Sequence, residues 1–264
     1  MTMQKFVLLT QGLRLDDGRT VKRIMAVRDF GNVKKGDIGG FVEWTSNLSQ
    51  CGNCWIADNA IAAGWTRVSG DALLKDHAMC DGHVLVYDRA EIGDDAVLEG
   101  RVAVSGDAKI GLFSYLKDGV VVRDHATVFC RCRFSNSGKT RVPNLCEQAT
   151  VCDYAKLEGR ISMSGTSTAD GHATLRDNVR LRENCYAGGH SIIEGQAHLF
   201  GNAKAIDHTH IGGRSKLSGN VLAAGRSVIK GKSVLLCNVY VGGTAIIENE
   251  TLSGDMYRTR TCTS

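Results

Sequence analysis

The stretch RVSGDALLKDHAMCDGHVLVYDRA (residues 67–90) repeats every six residues. In each hexad an aliphatic residue or Cys stands second, Gly or Asp stands fourth, and Ala or Val stands sixth. A period of six fits neither a helix nor simple strand alternation. It fits a short strand followed by a bend, with the apolar positions facing inward and the fourth residue taking a positive φ. The repeat therefore predicts a chain that coils.

The hexads keep one phase over residues 49–132 and a second phase over residues 150–251. Within the hexads, similar residues also recur every eighteen positions, and we call each such set a column. Two columns are Val68, Val86, Val104 and Val122, and Leu181, Leu199, Leu217 and Leu235. Three six-residue sides close one coil, and each core column stacks like residues on like. The prediction is an all-β fold, a triangular single-stranded parallel β-helix of about ten 18-residue coils. The spacing of four from aliphatic to small positions favours left-handed winding, although six-residue sides also build right-handed filament proteins.

The remaining segments lie around these two blocks. Residues 1–48 contain two predicted strands around Asp17-Gly18, a β-hairpin that caps the open edge of the first coil. Residues 133–149 break the phase and include the one proline, which cannot donate to a sheet, so an irregular coil is expected. Residues 252–264 are a short C-terminal tail. Because that tail is short, a second subunit is a candidate cover for the last coil, and a homo-oligomer is considered.

Composition excludes several classes of protein. The net charge is only +4, and no region of the sequence has a strong excess of one sign. A nucleic-acid binder needs clustered basic residues, and a DNA mimic needs a strongly acidic surface. No apolar run has the length of a signal peptide or a membrane span, so a cytoplasmic location is predicted. The ten Cys are expected to be reduced thiols, because a chain of 264 residues buries a core without disulfides.

The segment RIMAVRDFGNVKKGDIGGFVEWTSNLSQCGNCWIADNA (residues 23–60), followed by Val-Ser-Gly-Asp-Ala hexads, resembles the YdcK-like β-solenoid proteins of bacteria and their phages. Its most specific parts are Arg-Asp-Phe-Gly and Asp-Ile-Gly-Gly-Phe-Val-Glu. The resemblance covers nearly the whole chain and implies a β-solenoid. The transferase label sometimes given to this family rests on analogy with hexapeptide acyltransferases, so no established activity is implied.

Histidines are the first candidates for chemistry, because hexapeptide acyltransferases use a His as general base. His172, His190 and His208 stand eighteen residues apart, so they are expected to stack along one edge, where adjacent imidazoles could share a metal ion. All three occupy the fifth hexad position, directly after Gly or Asp, where Asn, Asp and Arg also stand. A shared turn position is the favoured explanation, and no catalytic residue is assigned.

Cysteines are the second candidates. Cys51-Gly-Asn-Cys54 has zinc-knuckle spacing, but the phase places Cys54 inward and Cys51 outward, so they cannot hold one ion together. A tetrahedral site at the break is the other arrangement considered, formed by Cys130, Cys132, Cys146 and Cys152. Because Cys132 fills an inward position, as other Cys do, neither a metal nor a cofactor is predicted.

The predicted function is a non-enzymatic β-solenoid scaffold or protein-binding module, which in a phage would act on a host protein. The candidate contact residues surround the break and are Arg131, Arg133, Lys139 and Arg141. One alternative is a hexapeptide-type acyltransferase, although the unbroken hexads provide no long loop to close a groove. The other alternative is a self-assembling structural protein.

Overall fold

The computed structural model describes residues 4–131, 133–134, 141–142 and 144–260. Within these residues the chain is all-β, and its one helical segment is the 3-10 turn Thr45–Asn47. Parallel strands stack in about 11 turns of about 18 residues, so the predicted parallel β-solenoid is confirmed. Left-handed winding stays a prediction. The chain divides into two compact units, residues 1–124 and residues 125–264.

Unit 1 (residues 1–124) is built of strands two to nine residues long. Its strands are β1 Phe6–Arg14, β2 Thr20–Ala26, β3 Ile38–Val42, β4 Trp55–Ile56, β5 Ile61–Ala62, β6 Arg67–Val68, β7 Leu73–Leu74, β8 Met79–Val86, β9 Glu91–Ile92, β10 Val97–Val104, β11 Lys109–Phe113, β12 Tyr115–Lys117 and β13 Val120–Val122. The coils of unit 1 have three faces. The first is β4-β7-β9-β11, the second is β5-β8-β10-β12, and the third is β6-β8-β10-β13. Along these three faces each residue pairs with the residue eighteen positions along, as Val68 does with Val86.

The N-terminal strands form an antiparallel hairpin that joins the solenoid through β3. β1 pairs with β2, β2 pairs with β3, and β3 continues in parallel to β5. Gly18 takes a φ of +91° at the turn, which is the conformation glycine permits. Arg19, next to it, donates to Glu43 at 3.0 Å and to Asp81 at 3.0 Å. These ion pairs fasten the hairpin turn to the coils below it.

Unit 2 (residues 125–264) repeats the same three-sided plan. Its strands are β14 Thr127–Arg131, β15 Arg133–Phe134, β16 Arg141–Val142, β17 Leu145–Cys146, β18 Thr150–Val151, β19 Lys156–Gly159, β20 Ser162–Met163, β21 Thr168–Ala169, β22 Thr174–Leu175, β23 Arg180–Leu181, β24 Tyr186–Ala187, β25 Ile192–Ile193, β26 His198–Gly201, β27 Lys204–Ala205, β28 His210–Ile211, β29 Lys216–Gly219, β30 Leu222–Ala223, β31 Val228–Lys230, β32 Val234–Cys237, β33 Val239–Val241, β34 Ile246–Glu248, β35 Thr251–Ser253 and β36 Met256–Arg258. Its faces are β14-β19-β22-β25-β28-β31-β34, β17-β20-β23-β26-β29-β32-β35 and β18-β21-β24-β27-β30-β33-β36.

The break in the repeat contains a separate antiparallel pair, β15 with β16. After it, Leu145 already pairs with Met163, eighteen residues along, so the regular coils resume before Thr150. Across the break, Thr127 pairs with Lys156. The residues between Thr127 and Lys156 exceed one coil, and the antiparallel pair β15–β16 lies within this excess. The eighteen-residue pairing then resumes at Leu145.

The corners explain why Gly and Asp share the fourth hexad position. Asp76 has a φ of +57°, and its Oδ2 accepts a hydrogen bond from the Asp94 amide, one coil along, at 3.0 Å. In unit 2, Asp153 and Asp207 accept in the same way from Gly171 and Gly225. Gly adopts the left-handed backbone conformation without strain. Asp adopts it with some strain, but its side chain forms a hydrogen bond to the next coil.

The core consists of the second and sixth hexad positions. Val86, Val104 and Val122 are fully buried in unit 1, as are Leu181 and Leu199 in unit 2. Small residues at the sixth position leave space for these aliphatic side chains at the centre of each coil. The predicted core columns are therefore present in both units.

Candidate functional site

Five rings form a continuous stack along one corner of unit 2, and we call them the ring ladder: His125, Tyr154, His172, His190 and His208. Successive ring centroids are 4.7, 4.8, 4.7 and 5.0 Å apart. The planes deviate from parallel by at most 17°. All five side chains are exposed. The structure thus brings the three candidate histidines together as neighbouring rungs.

The backbone sets the spacing of these rungs. The amides of His172, His190 and His208 donate to carbonyls one coil along, so each ring inherits the separation between parallel strands of about 4.8 Å. Among the residues that the structure describes, no hydrogen bond reaches the ring nitrogens of these three histidines. Their lone pairs and N–H groups face solvent, in contrast to His210, whose Nε2 lies 2.7 Å from Glu194.

A group of potential metal ligands lies at the same corner of the coils. The ligand atoms of Cys152, Asp153 and Asp170 lie within 4.8 Å of one another. The protein already uses these carboxylates: the Tyr186 hydroxyl donates to Asp170 at 2.7 and 2.8 Å, and Asp153 accepts from a backbone amide. Burial, together with the neighbouring Asp170, raises the pKa of Tyr186 to about 12. These contacts account for the group as part of the fold.

Two of the other cysteine candidates have side chains within the described part of the chain. Among the described side chains, Cys130 is buried and Cys146 is half-buried, and neither joins Cys152 in a cluster of potential ligands. Burial raises the pKa of Cys130 to about 12. Cys132 lies outside the described residues. The four-cysteine site considered at the break therefore stays a hypothesis.

The predicted contact residues lie at the break. Arg131 ends β14, while Arg133 and Arg141 belong to the antiparallel strands β15 and β16. Lys139 lies outside the described residues. The backbone register pairs Arg133 with Val142, and Arg141 with Phe134. Their role in partner binding stays a prediction.

A groove in unit 1 was not predicted. It has a volume of about 530 Å³, and its lining residues are Trp65, Arg67, His83, Leu85, Arg101, Val102, Ala103, Gly119, Val120 and Val121. Trp65 is 70% exposed and stacks on the His83 ring, with centroids 6.1 Å apart and planes 7° from parallel. Leu85 is also exposed, at 45%. The Trp65 indole and the Leu85 side chain are thus exposed to solvent beside the groove.

The stacking of residues eighteen positions apart explains the groove. Along the third face, Leu85 pairs with Ala103, and Ala103 pairs with Val121, so a small side chain lies between two larger ones. In the neighbouring column Arg101 is followed by Gly119, which has no side chain. The groove exists because these two positions are small. Comparing columns rather than neighbouring residues would have revealed it in the sequence.

A buried lysine fastens the N-terminal segment to the first coil. Lys5 is 0% exposed, and its Nζ donates to the Cys54 carbonyl at 2.9 Å and lies 3.2 Å from the Cys54 Sγ. The ammonium also lies 4.9 Å from the centre of the Phe30 ring. Burial lowers the pKa of Lys5 and raises the pKa of Cys54. Cys51 is exposed and Cys54 is buried, as the hexad phase indicates.

A second ladder in unit 2 consists of amides, and we call it the Asn ladder: Asn184, Asn202, Asn220 and Asn238. Each Nδ2 donates to the next Oδ1, at 3.2, 2.9 and 3.0 Å, and the last donates to Asp255 at 2.8 Å. The Thr166 hydroxyl donates to Asn184 at the other end. The polar atoms of this ladder bond mainly to one another, so the ladder is structural.

No helix within the described part of the chain is long and apolar enough to cross a membrane. No protein-family model matches the chain. Over 52 residues, 19% of this chain, the sequence is 44% identical to a protein of Escherichia coli (strain K12) named uncharacterized acetyltransferase YdcK. The matched segment spans 16% of the length of that protein. This local similarity and the β-solenoid fold agree with the resemblance to YdcK-like β-solenoid proteins.

Proposed function

We propose that the protein is a non-enzymatic binding module that holds an extended segment of a partner protein in the unit 1 groove. The observation that carries the proposal is the exposure of Trp65 and Leu85 beside a hollow of about 530 Å³. Trp, Tyr and Arg dominate the energetics of protein interfaces, because they combine large apolar area with directional polar contacts. The groove contains one Trp and two Arg.

The chemistry of the groove indicates its occupant. Its floor is apolar, since Val102 and Val120 are buried and Ala103 is half-buried. Arg67 and Arg101 are exposed at its edges, and neither pairs with a carboxylate among the described residues. A segment with apolar side chains and at least one Asp or Glu would complement both features. Long-range attraction between the arginines and that acidic group would also speed association.

Affinity capture from a bacterial lysate with matched variants tests the proposal. The tagged full chain, Trp65→Ala and Ala103→Phe are compared, with Trp44→Ala as the control. Trp44 is also exposed, at 59%, but does not line the groove. Trp65→Ala removes the anchor, and Ala103→Phe fills the hollow without removing any contact. Each groove variant should weaken capture of the same partner about tenfold or more, while Trp44→Ala captures as the unmodified chain does.

The capture also separates the proposal from its alternatives. Equal recovery of the partner by all four chains would contradict binding in the groove. Recovery of nothing but the protein itself, in a multimer measured by light scattering, would favour self-assembly. Thermal unfolding checks that the groove variants are folded, and Trp65→Ala should melt within about 2 °C of the unmodified chain, since exposed substitutions change stability little.

Acetyl transfer is the second candidate, because the protein similar over 52 residues carries an acetyltransferase name. An acetyl-CoA site must bind the cofactor to the folded chain and raise its melting temperature. The binding-module proposal expects no such rise at millimolar acetyl-CoA. A concentration-dependent rise would favour the transferase instead.

A further inference from the structure

We propose that His172, His190 and His208 form a binding site for a divalent transition-metal ion of the Ni²⁺, Cu²⁺ and Zn²⁺ group. The site lies in unit 2 and is independent of the protein binding proposed for unit 1. It takes one ion, held by two neighbouring imidazoles, with water completing the coordination. Imidazole nitrogen suits all three metals.

The spacing of the rungs fits a shared ion. The ring centroids are 4.7 Å apart between His172 and His190 and 5.0 Å apart between His190 and His208. Two nitrogens bonded to one ion, each at about 2.1 Å, lie roughly 3–4 Å from each other. Because the nitrogen lone pairs lie in the ring planes, each ring must turn by roughly 45° out of the parallel stack for two nitrogens to point at one ion between the rungs. The broad terminal torsion of a histidine side chain allows this rotation.

The nitrogens are available for coordination. The three rings are exposed, and no described side chain or carbonyl forms a hydrogen bond to their nitrogens. Most metal-binding sites require a path from solvent, and an exposed corner provides one. The carboxylate of Asp207, directly before His208, is also exposed and adds negative charge nearby. Arg226, eighteen residues after His208, places a cation at the far end of the row.

The order of the rungs makes the proposal specific. His190 belongs to both possible pairs, whereas His172 and His208 each belong to one. Loss of His190 removes both pairs, and loss of an outer histidine leaves one intact. Replacing His190 should therefore weaken binding strongly, and replacing either outer histidine should weaken it only about twofold, which is the statistical cost of losing one of two pairs.

Calorimetric titration of the full chain with NiCl₂ at pH 7.5 tests this site. We expect one ion per chain, at least a tenfold weaker affinity in His190→Asn, and about a twofold weaker affinity in His172→Asn and in His208→Asn. Asn suits the position, because Asn184 and Asn202 occupy the same hexad position in the same unit. His77→Asn is the matched control, since His77 occupies that position in unit 1, and its binding should be unchanged.

Two results would overturn the proposal: no binding heat at millimolar Ni²⁺, or an unchanged affinity in His190→Asn. Circular dichroism of each variant establishes that the solenoid is intact before the titration. The thiols are the same in every variant, so metal bound by Cys51 or another cysteine contributes equally and cannot mimic the difference between His190→Asn and His77→Asn.

Discussion

The ring ladder and the Asn ladder occupy the same hexad position on the coils of unit 2, and they differ in how their polar atoms are satisfied. Asn202 donates to Asn220 and accepts from Asn184, so its amide is paired in both directions along the stack. His190 stacks on two rings at 4.7 and 5.0 Å without a hydrogen bond to either. In the Asn ladder the side-chain amides bond to one another, whereas the ring nitrogens of His172, His190 and His208 are left to solvent.

The difference follows from the side chains, because the backbone is shared. Gly189 precedes His190 with a φ of +65°, and Gly201 precedes Asn202 with a φ of +69°. An amide carries donor and acceptor on one short branch, so repetition at the coil spacing produces a chain of hydrogen bonds. An imidazole stacked on another cannot direct its in-plane nitrogens at its neighbour. A histidine column therefore keeps free ligand atoms where an asparagine column does not.

The largest expected loss of stability follows substitution of the corner glycine that precedes a rung in each ladder. A Cβ at Gly189 would lie 2.7 Å from the Asp207 amide nitrogen, and a Cβ at Gly201 would lie 3.0 Å from the Gly219 nitrogen. Gly189→Ala and Gly201→Ala should each lower the free energy of unfolding by about 1–3 kcal/mol, with the larger loss at Gly189. Urea denaturation measures both. Full stability in either variant would contradict a corner backbone common to the two ladders.

The repeat predicted the parts of the molecule that depend on periodicity. Leu181 and Leu199 are buried and paired at eighteen residues, because only that register faces the aliphatic positions inward. The stacking of His172 and His190 follows from the same register. By contrast, the hexad at 144–149 lies inside the segment predicted to be irregular, since its apolar positions, Leu145 and Ala149, stand among polar residues directly after the break.

The groove and the buried lysine do not follow from the hexad pattern alone: the groove requires a comparison of side-chain sizes across coils, and the lysine lies outside the repeat. The groove depends on side-chain size across coils, where Ala103 lies between Leu85 and Val121. The contact between Lys5 and Cys54 joins a segment outside the repeat to one inside it, and periodicity gives no register for such a pair. The sequence therefore predicts the scaffold well, and predicts its surface only where the surface repeats too.

A smaller loss of stability is expected when one rung of either ladder is replaced by Ala, and the size of the loss should differ between the two ladders. Asn220→Ala removes two amide hydrogen bonds, at 2.9 and 3.0 Å, and should cost about 1 kcal/mol, because the exposed neighbours can bond to water instead. His190→Ala removes stacking but no hydrogen bond between rungs, and should cost about 0.5 kcal/mol or less. The comparison is made by urea denaturation of both variants. Equal losses would show that the ring ladder contributes as much to stability as the amide ladder.

The smallest effect concerns the direction of the Asn ladder. A row of amides can run with its donors pointing either way, but Asp255 only accepts, so it fixes every Nδ2 as a donor toward the C-terminal end. Asp255→Asn keeps an acceptor oxygen yet adds a donor, which removes the directional constraint and the charge on one bond. We expect a loss of about 0.5 kcal/mol in the free energy of unfolding. We also expect faster hydrogen exchange of the Asn238 side-chain amide by NMR. A larger loss than that of Asn220→Ala would mean that the terminal carboxylate stabilises the ladder more than the amide bonds do.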